Sequence, residues 1–286
     1  MMASKQVQGH IALMVQHQSM DFALLSQHDL MALQAQTAGK VVNIFASGPS
    51  ITDVDFTAEL LAQPALFMNG SLSLMGQYQF AQPMAYVVTD ARFIQHNLPV
   101  LLAHYQGMLF CLTLPVLQAL IAAAPDVVMR FKPNLRLIFA IDRPIFRATR
   151  RKILAWLARM PEFTVQKAAL RQTDLSTQTF VMDWQHDPVI GVSLDITQGF
   201  VEAGTVAYVA VQLAFGLDPS VVHLYGVDLL NTQQPRFYES ADNTAPIMLD
   251  KAVANRIVPS FDWLKHVYAK HGMALVNQSP ISQGLF

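Results

Sequence analysis

Val41-Val42-Asn43-Ile44-Phe45-Ala46-Ser47-Gly48-Pro49-Ser50 decides the fold. Its first six residues are β-branched or apolar at nearly every position, as in a strand covered on both faces. Ser47-Gly48-Pro49-Ser50 then reads as a tight turn, with Ser50 placed to cap a following helix. The same pattern recurs along the chain. Ala65 to Met68 ends in Asn69-Gly70-Ser71, and Tyr86 to Val88 ends in Thr89-Asp90. Val222 to Val227 ends in Asp228, and Ala274 to Val276 ends in Asn277-Gln278-Ser279-Pro280. Helical spacing separates these runs, notably over Val201–Phe215 and Ile257–Lys270. Strands alternating with helices imply an α/β fold, a doubly wound and mostly parallel sheet. In such a sheet ligands bind beyond the C-terminal strand ends. Ser47, Ser50, Asn69, Thr89, Asp90 and Asp228 are therefore expected along one crevice. Any one of them alone reads equally well as a turn or cap residue.

The 286 residues are 52% hydrophobic and only 14% charged, with a formal net charge of −1. High hydrophobicity and low charge exclude intrinsic disorder. The charge balance excludes a globally basic nucleic-acid binder. A lone cysteine, Cys111, excludes a disulfide scaffold and a Cys-based zinc site. Phe93 to Pro125 carries no Asp, Glu, Lys or Arg over 33 residues, longer than the ~20 a spanning helix needs. Polar residues and two prolines, Pro99 and Pro115, interrupt it. It reads instead as helix over Leu98–Tyr105, strand over Met108–Thr113 and helix over Pro115–Ala124, with each proline in a first helical turn. The N-terminus shows no secretory h-region, which points to the cytoplasm. Residues 1–38 read as a helical preface to a single domain spanning 1–286.

Several short motifs have chemical potential. A glycine turn feeding a helix presents N–H groups and a positive pole to a phosphate, which suits Ser47, Gly48, Pro49 and Ser50. The glycines of a dinucleotide fingerprint and the lysine of a P-loop are both missing. Asp53-Val54-Asp55 resembles an Asp-x-Asp metal site, yet its place after Ser50 favours acids in a first helical turn. Thr197-Gln198-Gly199 precedes a helix expected from about Val201, either a second anion-facing N-terminus or a plain loop. Arg236-Phe237-Tyr238-Glu239 lies in a Gln/Asn/Pro-rich stretch that reads as a lid over 229–256 or as a solvated loop. No HExxH or other close metal-ligand pair occurs among the nine histidines, and no GxSxG elbow occurs.

The nineteen basic residues are unevenly spread: nine fall between Arg130 and Arg159, against one acid, Asp142. Ile145, Phe146, Ile153, Leu154, Trp156 and Leu157 interleave with them. This reads as a basic helical insertion over 129–175. Its charge and apolar face suit an anionic membrane surface or phosphorylated lipid better than calmodulin-like partners or RNA. Arg143, Arg147, Arg150, Arg151 and Lys152 are the expected contacts.

Taken in order, Phe45-Ala46-Ser47-Gly48-Pro49-Ser50, Asn69-Gly70-Ser71 and Tyr86-Val87-Val88-Thr89-Asp90-Ala91-Arg92-Phe93 resemble the lipopolysaccharide core Kdo transferases of the WaaZ type. Asp195-Ile196-Thr197-Gln198-Gly199, Gly226-Val227-Asp228-Leu229, Arg236-Phe237-Tyr238 and Asn277-Gln278-Ser279-Pro280 extend the resemblance from about Val41 to the end. The Gly-Pro-Ser turn is similar, more distantly, to the CMP-sialic acid transferases of glycosyltransferase family 42. The resemblance implies a Rossmann-like, GT-A-variant glycosyltransferase fold and a CMP-Kdo donor. It implies inverting, metal-independent transfer to a lipid A-core acceptor, with no further cofactor. Ser47, Gly48, Pro49, Ser50, Asn69 and Gly70 would hold the nucleotide, with Thr89, Asp228, Thr197, Gln198 and Gly199 completing the site. Tyr238 and Arg236 would meet the departing phosphate. The sialyltransferases use a lid histidine as base, but Asn231 to Arg256 contains none. Asp90 is the expected base and Glu239 the second choice, while Arg92 or Lys251 would pair with the donor carboxylate. The expected location is the cytoplasmic face of the inner membrane, with no nucleic acid partner. Sialic acid transfer, or binding of a nucleotide sugar or lipid without turnover, are the competing readings.

Overall fold

The computed structural model describes residues 9–143, 175, 178–230, 236–238 and 252–286, and the backbone of 145–147 and 163–165. In chain order the strands are β1 (His10–Val15), β2 (Gln18–Ala23), β3 (Val41–Phe45), β4 (Pro64–Met68), β5 (Gln82–Val88), β6 (Leu109–Leu112) and β7 (Leu135–Leu137). They continue with β8 (Ile145–Arg147), β9 (Phe163–Val165), β10 (Phe180–Asp183), β11 (Ile190–Ser193), β12 (Val221–Tyr225) and β13 (Ala274–Asn277). The α-helices are α1 (Gln27–Thr37), α2 (Ala58–Ala62), α3 (Ala91–His104), α4 (Leu114–Ala123), α5 (Pro125–Phe131), α6 (Val206–Phe215) and α7 (Val258–Lys270).

Seven strands form one wholly parallel sheet in the order β13-β12-β3-β4-β5-β6-β7. This is the doubly wound α/β fold expected from the apolar runs. The chain starts at β3, winds outward to β7, then returns to the other side of β3 with β12 and β13. Strand order therefore reverses between β3 and β12, the place where such sheets open a ligand crevice. Alternate side chains of each strand feed two cores. Val42, Ile44, Leu66 and Val87 pack with α6 and α7 on one face. Phe45, Phe67, Tyr86 and Phe110 pack with α3 and α4 on the other. Phe45 anchors the second core, with ring centroids 5.7 Å from Phe67, 5.3 Å from Phe80 and 5.2 Å from Tyr225.

The uncharged window folds into α3, β6 and α4. Pro99 sits inside α3, whose dihedrals break at Asn97. Among the described residues no single helix is long and apolar enough to cross a membrane. The stretch Leu114–Ala123 and the following helical stretch would pass together, but they are bent by 118°. Leu114, Val116, Leu117 and Leu120 of α4 are buried in the core.

Three expectations need correction. The preface over 1–38 is not wholly helical: β1 and β2 form an antiparallel hairpin, and among its described residues only α1 is helix. Gln16 and His17 make its turn with φ of 44° and 68°, and Ile11, Val15 and Phe22 bury its inner face. The segment over 129–175 is not simply a helical insertion either. Arg130 ends α5, Arg136 lies in the main-sheet strand β7, and β8 pairs with β9. Arg136 is spent on Asp29, with Nε 2.8 Å from Oδ1, tying the sheet edge to α1. Third, Asp53 and Asp55 do not open a helix. Asp53 ends the one-turn 3₁₀ stretch Pro49–Asp53, and α2 begins later under its Thr57 cap. The two acids face a separate cleft of about 330 Å³ together with His223 and Tyr225.

Candidate active site

Beyond the C-terminal ends of β3, β4, β5 and β6, at the reversal of strand order, lies a cavity of about 730 Å³. Its floor is built by strand ends that stay hydrogen-bonded as they leave the sheet. Ala46 N–H donates to the Tyr225 carbonyl at 2.8 Å, and Gly48 N–H donates to the Gly226 carbonyl at 2.8 Å. A Cβ on Gly48 would stand 2.4 Å from Asp228 Oδ2 and 2.5 Å from the Gly226 carbonyl, so only glycine admits this approach. Ser47, Gly48 and Pro49 line the cavity. Ser50 does not. It is 2% exposed, its N–H donates to Asp228 Oδ2 at 2.7 Å and its hydroxyl to Oδ1 at 2.6 Å.

Asn69, after β4, lines the cavity with a left-handed φ of 47° and a buried Oδ1 that has no hydrogen-bond partner. Its carbonyl accepts from the Tyr86 hydroxyl at 3.0 Å. Burial first, then the neighbouring Tyr238 and Tyr105, pushes the Tyr86 phenol up, so it serves as a fixed donor. Ser71 Oγ donates to the Phe45 carbonyl at 2.5 Å and locks the β4 exit to the β3 exit.

Asp90 follows β5, lines the cavity and caps α3 by accepting from Arg92 N–H at 2.9 Å. Arg92 also grips it with its guanidinium, Nε lying 2.8 Å from Oδ2. Burial alone would raise the Asp90 carboxyl. The Arg92 hydrogen bonds and charge, with Arg236 beyond, more than offset this and hold it below the usual carboxylate range. Asp90, Arg92 and Arg236 all line the cavity. Arg92, however, is engaged with Asp90 itself.

The opposite wall was missed by sequence reasoning. The helix expected from about Val201 begins at Val206, capped by Thr205, whose hydroxyl accepts from Ala207 N–H at 3.3 Å. Gly204, Thr205, Val206 and Ala207 line the cavity and bring the positive pole of α6 to it. Thr197, Gln198 and Gly199, expected there, belong to an earlier 3₁₀ turn capped by Asp195 and do not line it. The usable signal was Gly204-Thr205 directly before an uncharged, small-residue run. Arg143 and Glu202 also line this wall, with Arg143 Nη1 2.7 Å from Glu202 Oε2. Thr113, donating to the Thr89 carbonyl at 2.9 Å, was not anticipated either.

Three described residues of the expected lid close over the β3 and β4 exits. Phe237 N–H reaches the Ser47 carbonyl at 3.4 Å. The Tyr238 ring lies flush on Gly70, where a Cβ would stand 1.8 Å from its Cε1. Gly70 and Tyr238 flank the cavity rather than lining it, whereas Arg236 lines it. Glu239, Lys251, Arg150, Arg151 and Lys152, and the side chain of Arg147, lie outside the described residues.

Comparison with known proteins agrees with the resemblance carried by the motifs. Residues 163–282 match the family model described as 3-deoxy-D-manno-octulosonic acid transferase WaaZ. A "Probable 3-deoxy-manno-octulosonic acid transferase" of Salmonella typhimurium is 24% identical over 241 residues, covering 84% of this chain and 83% of that protein. Among solved structures, the sialyltransferase CST-II in complex with trisaccharide acceptor and CMP aligns over 84% of this chain and 82% of its own. The TM-score is 0.41 and the sequence identity 13%. The likeness to WaaZ-type Kdo transferases, read first from short motifs, is thus found independently by the family model and by the curated relative.

Proposed function

We propose that this protein is a glycosyltransferase that moves Kdo from CMP-Kdo to the inner core of a lipid A-linked acceptor, inverting the anomeric centre and using no metal. One observation carries this reading: the cavity at the β3/β12 reversal places a glycine turn and the α6 N-terminus on opposite walls. The α6 end offers its first-turn N–H groups and positive pole to a phosphate, and the glycine turn, with no Cβ at Gly48, lets the β3 exit come close to it. The family names supply Kdo, and the motif resemblance supplies the CMP-activated donor.

In this proposal the nucleotide phosphate sits between Gly48-Pro49 and Thr205–Ala207, and Asn69 offers its unpartnered Oδ1 to a donor on the nucleotide or sugar. Arg236, which lines the cavity beside Asp90, meets the donor's carboxylate. An acceptor hydroxyl attacks the anomeric carbon as the bond from that carbon to the phosphate oxygen breaks. The electron pair leaves with CMP, and the hydroxyl proton passes to Asp90, which is ionised and within the cavity. Tyr238, seated on Gly70, steadies the departing phosphate. The basic run beyond Arg143 holds the anionic acceptor at a membrane surface. Reversing the charge of Arg150 and Arg151 together is expected to weaken sedimentation with anionic vesicles, and unchanged sedimentation would reject the membrane role.

Calorimetric titration of the purified protein with CMP tests the nucleotide site. Saturable binding that persists in EDTA is expected, and Gly48→Ala, which drives a methyl into Asp228 and the Gly226 carbonyl, should abolish it. No binding of CMP by the wild-type chain would contradict the reading.

A further inference from the structure

Asp228 stands at the cavity, three residues beyond β12, yet its carboxylate is not turned to a ligand. Both oxygens are taken by a single residue across the reversal of strand order: Oδ2 accepts Ser50 N–H at 2.7 Å and Oδ1 accepts the Ser50 hydroxyl at 2.6 Å. Ser50 is 2% exposed, so the pair is shielded from water on the serine side. Two donors of one residue meeting the two oxygens of one carboxyl group fix its orientation.

The strand end that carries Asp228 is itself fixed from behind. Gly226 turns the chain with φ of 70°, a conformation costly for any residue with a Cβ. Val227 N–H donates to Ser279 Oγ at 2.7 Å, and Ser282 Oγ donates to the Val227 carbonyl. Ser279 and Ser282 are each 1% exposed, and Asn277 at the end of β13 donates to the Ser282 carbonyl at 2.9 Å. A chain of buried hydrogen bonds therefore runs from the C-terminal turn through Val227 and Asp228 to Ser50, and ends at the Gly48-Pro49 turn that lines the cavity.

We propose that Asp228 is a positioning residue, holding the Gly48–Ser50 turn of β3 in its ligand-ready shape from the neighbouring strand β12. The backbone of the turn is tied by Gly48 N–H to the Gly226 carbonyl and by Ile51 N–H to the Gly48 carbonyl, while Ser50 gives both its N–H and its hydroxyl to Asp228. Asp228 bridges the two strand ends that the topology makes adjacent but the chain separates by 178 residues. The effect on ligand binding rests on the nucleotide-site reading above; the effect on the turn does not.

The two are separated by two measurements on the full chain. Amide hydrogen exchange reads the turn directly. Asp228→Asn keeps an oxygen for one Ser50 donor, and Asp228→Ala keeps none. Exchange at Ser50 and Ile51 should accelerate about tenfold in the first and more in the second, with β3 amides unchanged. Unchanged exchange at Ser50 in both variants would overturn the proposal, whether or not CMP binds. CMP titration reads the consequence. Acting through Ser50, Asp228→Asn and Ser50→Ala should each weaken CMP about tenfold, and the double variant should lose little more than one alone. A carboxylate facing the phosphate itself would act the other way. Tighter CMP binding by Asp228→Asn, or fully additive losses in the double variant, would also overturn the proposal. A wild-type chain that binds no CMP would reject the nucleotide site alone, leaving the exchange result to decide the role of Asp228.

Discussion

Asp90 and Gly70 show how single residues set the chemistry of the cavity. Asp90 serves two duties, as cap of α3 and as partner of Arg92, and against the raising effect of burial both hold its carboxyl below the ordinary range near pH 4. A carboxyl lowered by folding adds stability above its unfolded pKa and loses it as pH falls through the folded one. With Asp90 as base, the acid limb of kcat/KM is therefore expected below about pH 4, and Arg92→Ala should shift that limb upward. A pH–rate profile of both proteins checks this; an acid limb near pH 6 in the wild type would assign the base elsewhere. Gly70 is needed because the Tyr238 ring occupies the space of a Cβ. Gly70→Ala is expected to displace the lid tyrosine, cutting kcat at least tenfold while the melting temperature falls by only a few degrees. Tyr238→Phe keeps the packing and loses the hydroxyl. It should lower kcat by about a hundredfold and leave the donor KM near its wild-type value.

At the scale of elements, the sequence was most readable where burial was complete. β3, β4 and β5 are apolar runs buried over most of their length, β12 is buried at alternate positions, and the ends of all four fell within a few residues of the expected places. The β1–β2 hairpin was not readable. Its polar outer face, Ser19 and Asp21, and its turn at Gln16-His17 carry none of the Gly or Asn signals that mark such turns. The start of α6 was misplaced because Val201 and Ala203 are buried before the helix begins, so apolar character ran ahead of helical hydrogen bonding. That misplacement is why Thr197, Gln198 and Gly199 were expected where Thr205 stands. Thr205→Ala removes the cap and should cost about 1 kcal/mol of stability. Because the same end faces the cavity, CMP affinity should fall with it. Chemical denaturation and titration of one variant read both effects; a stability loss with unchanged affinity would remove α6 from the nucleotide site.

For the whole molecule, the topology concentrates chemistry at one place. Alternating strands and helices implied a crevice beyond the strand ends, and Ser47, Asn69, Thr89, Asp90 and Asp228, though not Ser50, line the cavity there. Strand order itself was hidden, since nothing local to Asp228 or Ser50 announces that residues 178 positions apart share a carboxylate. The charge economy also has a structural cause: 52% hydrophobic residues fill two cores around a sheet shielded on both sides. Of the basic run, Arg136 is spent on Asp29 and Arg143 on Glu202, so its early members staple the fold and the cavity wall. The central claim, transfer of Kdo from CMP-Kdo, is tested most directly by incubating purified protein with CMP-Kdo and a lipid A-core acceptor. Release of CMP and mass analysis of the acceptor are the readouts. The account predicts one CMP released for each Kdo gained by the acceptor, with or without EDTA. No release from CMP-Kdo, with release from CMP-sialic acid under the same conditions, would contradict it.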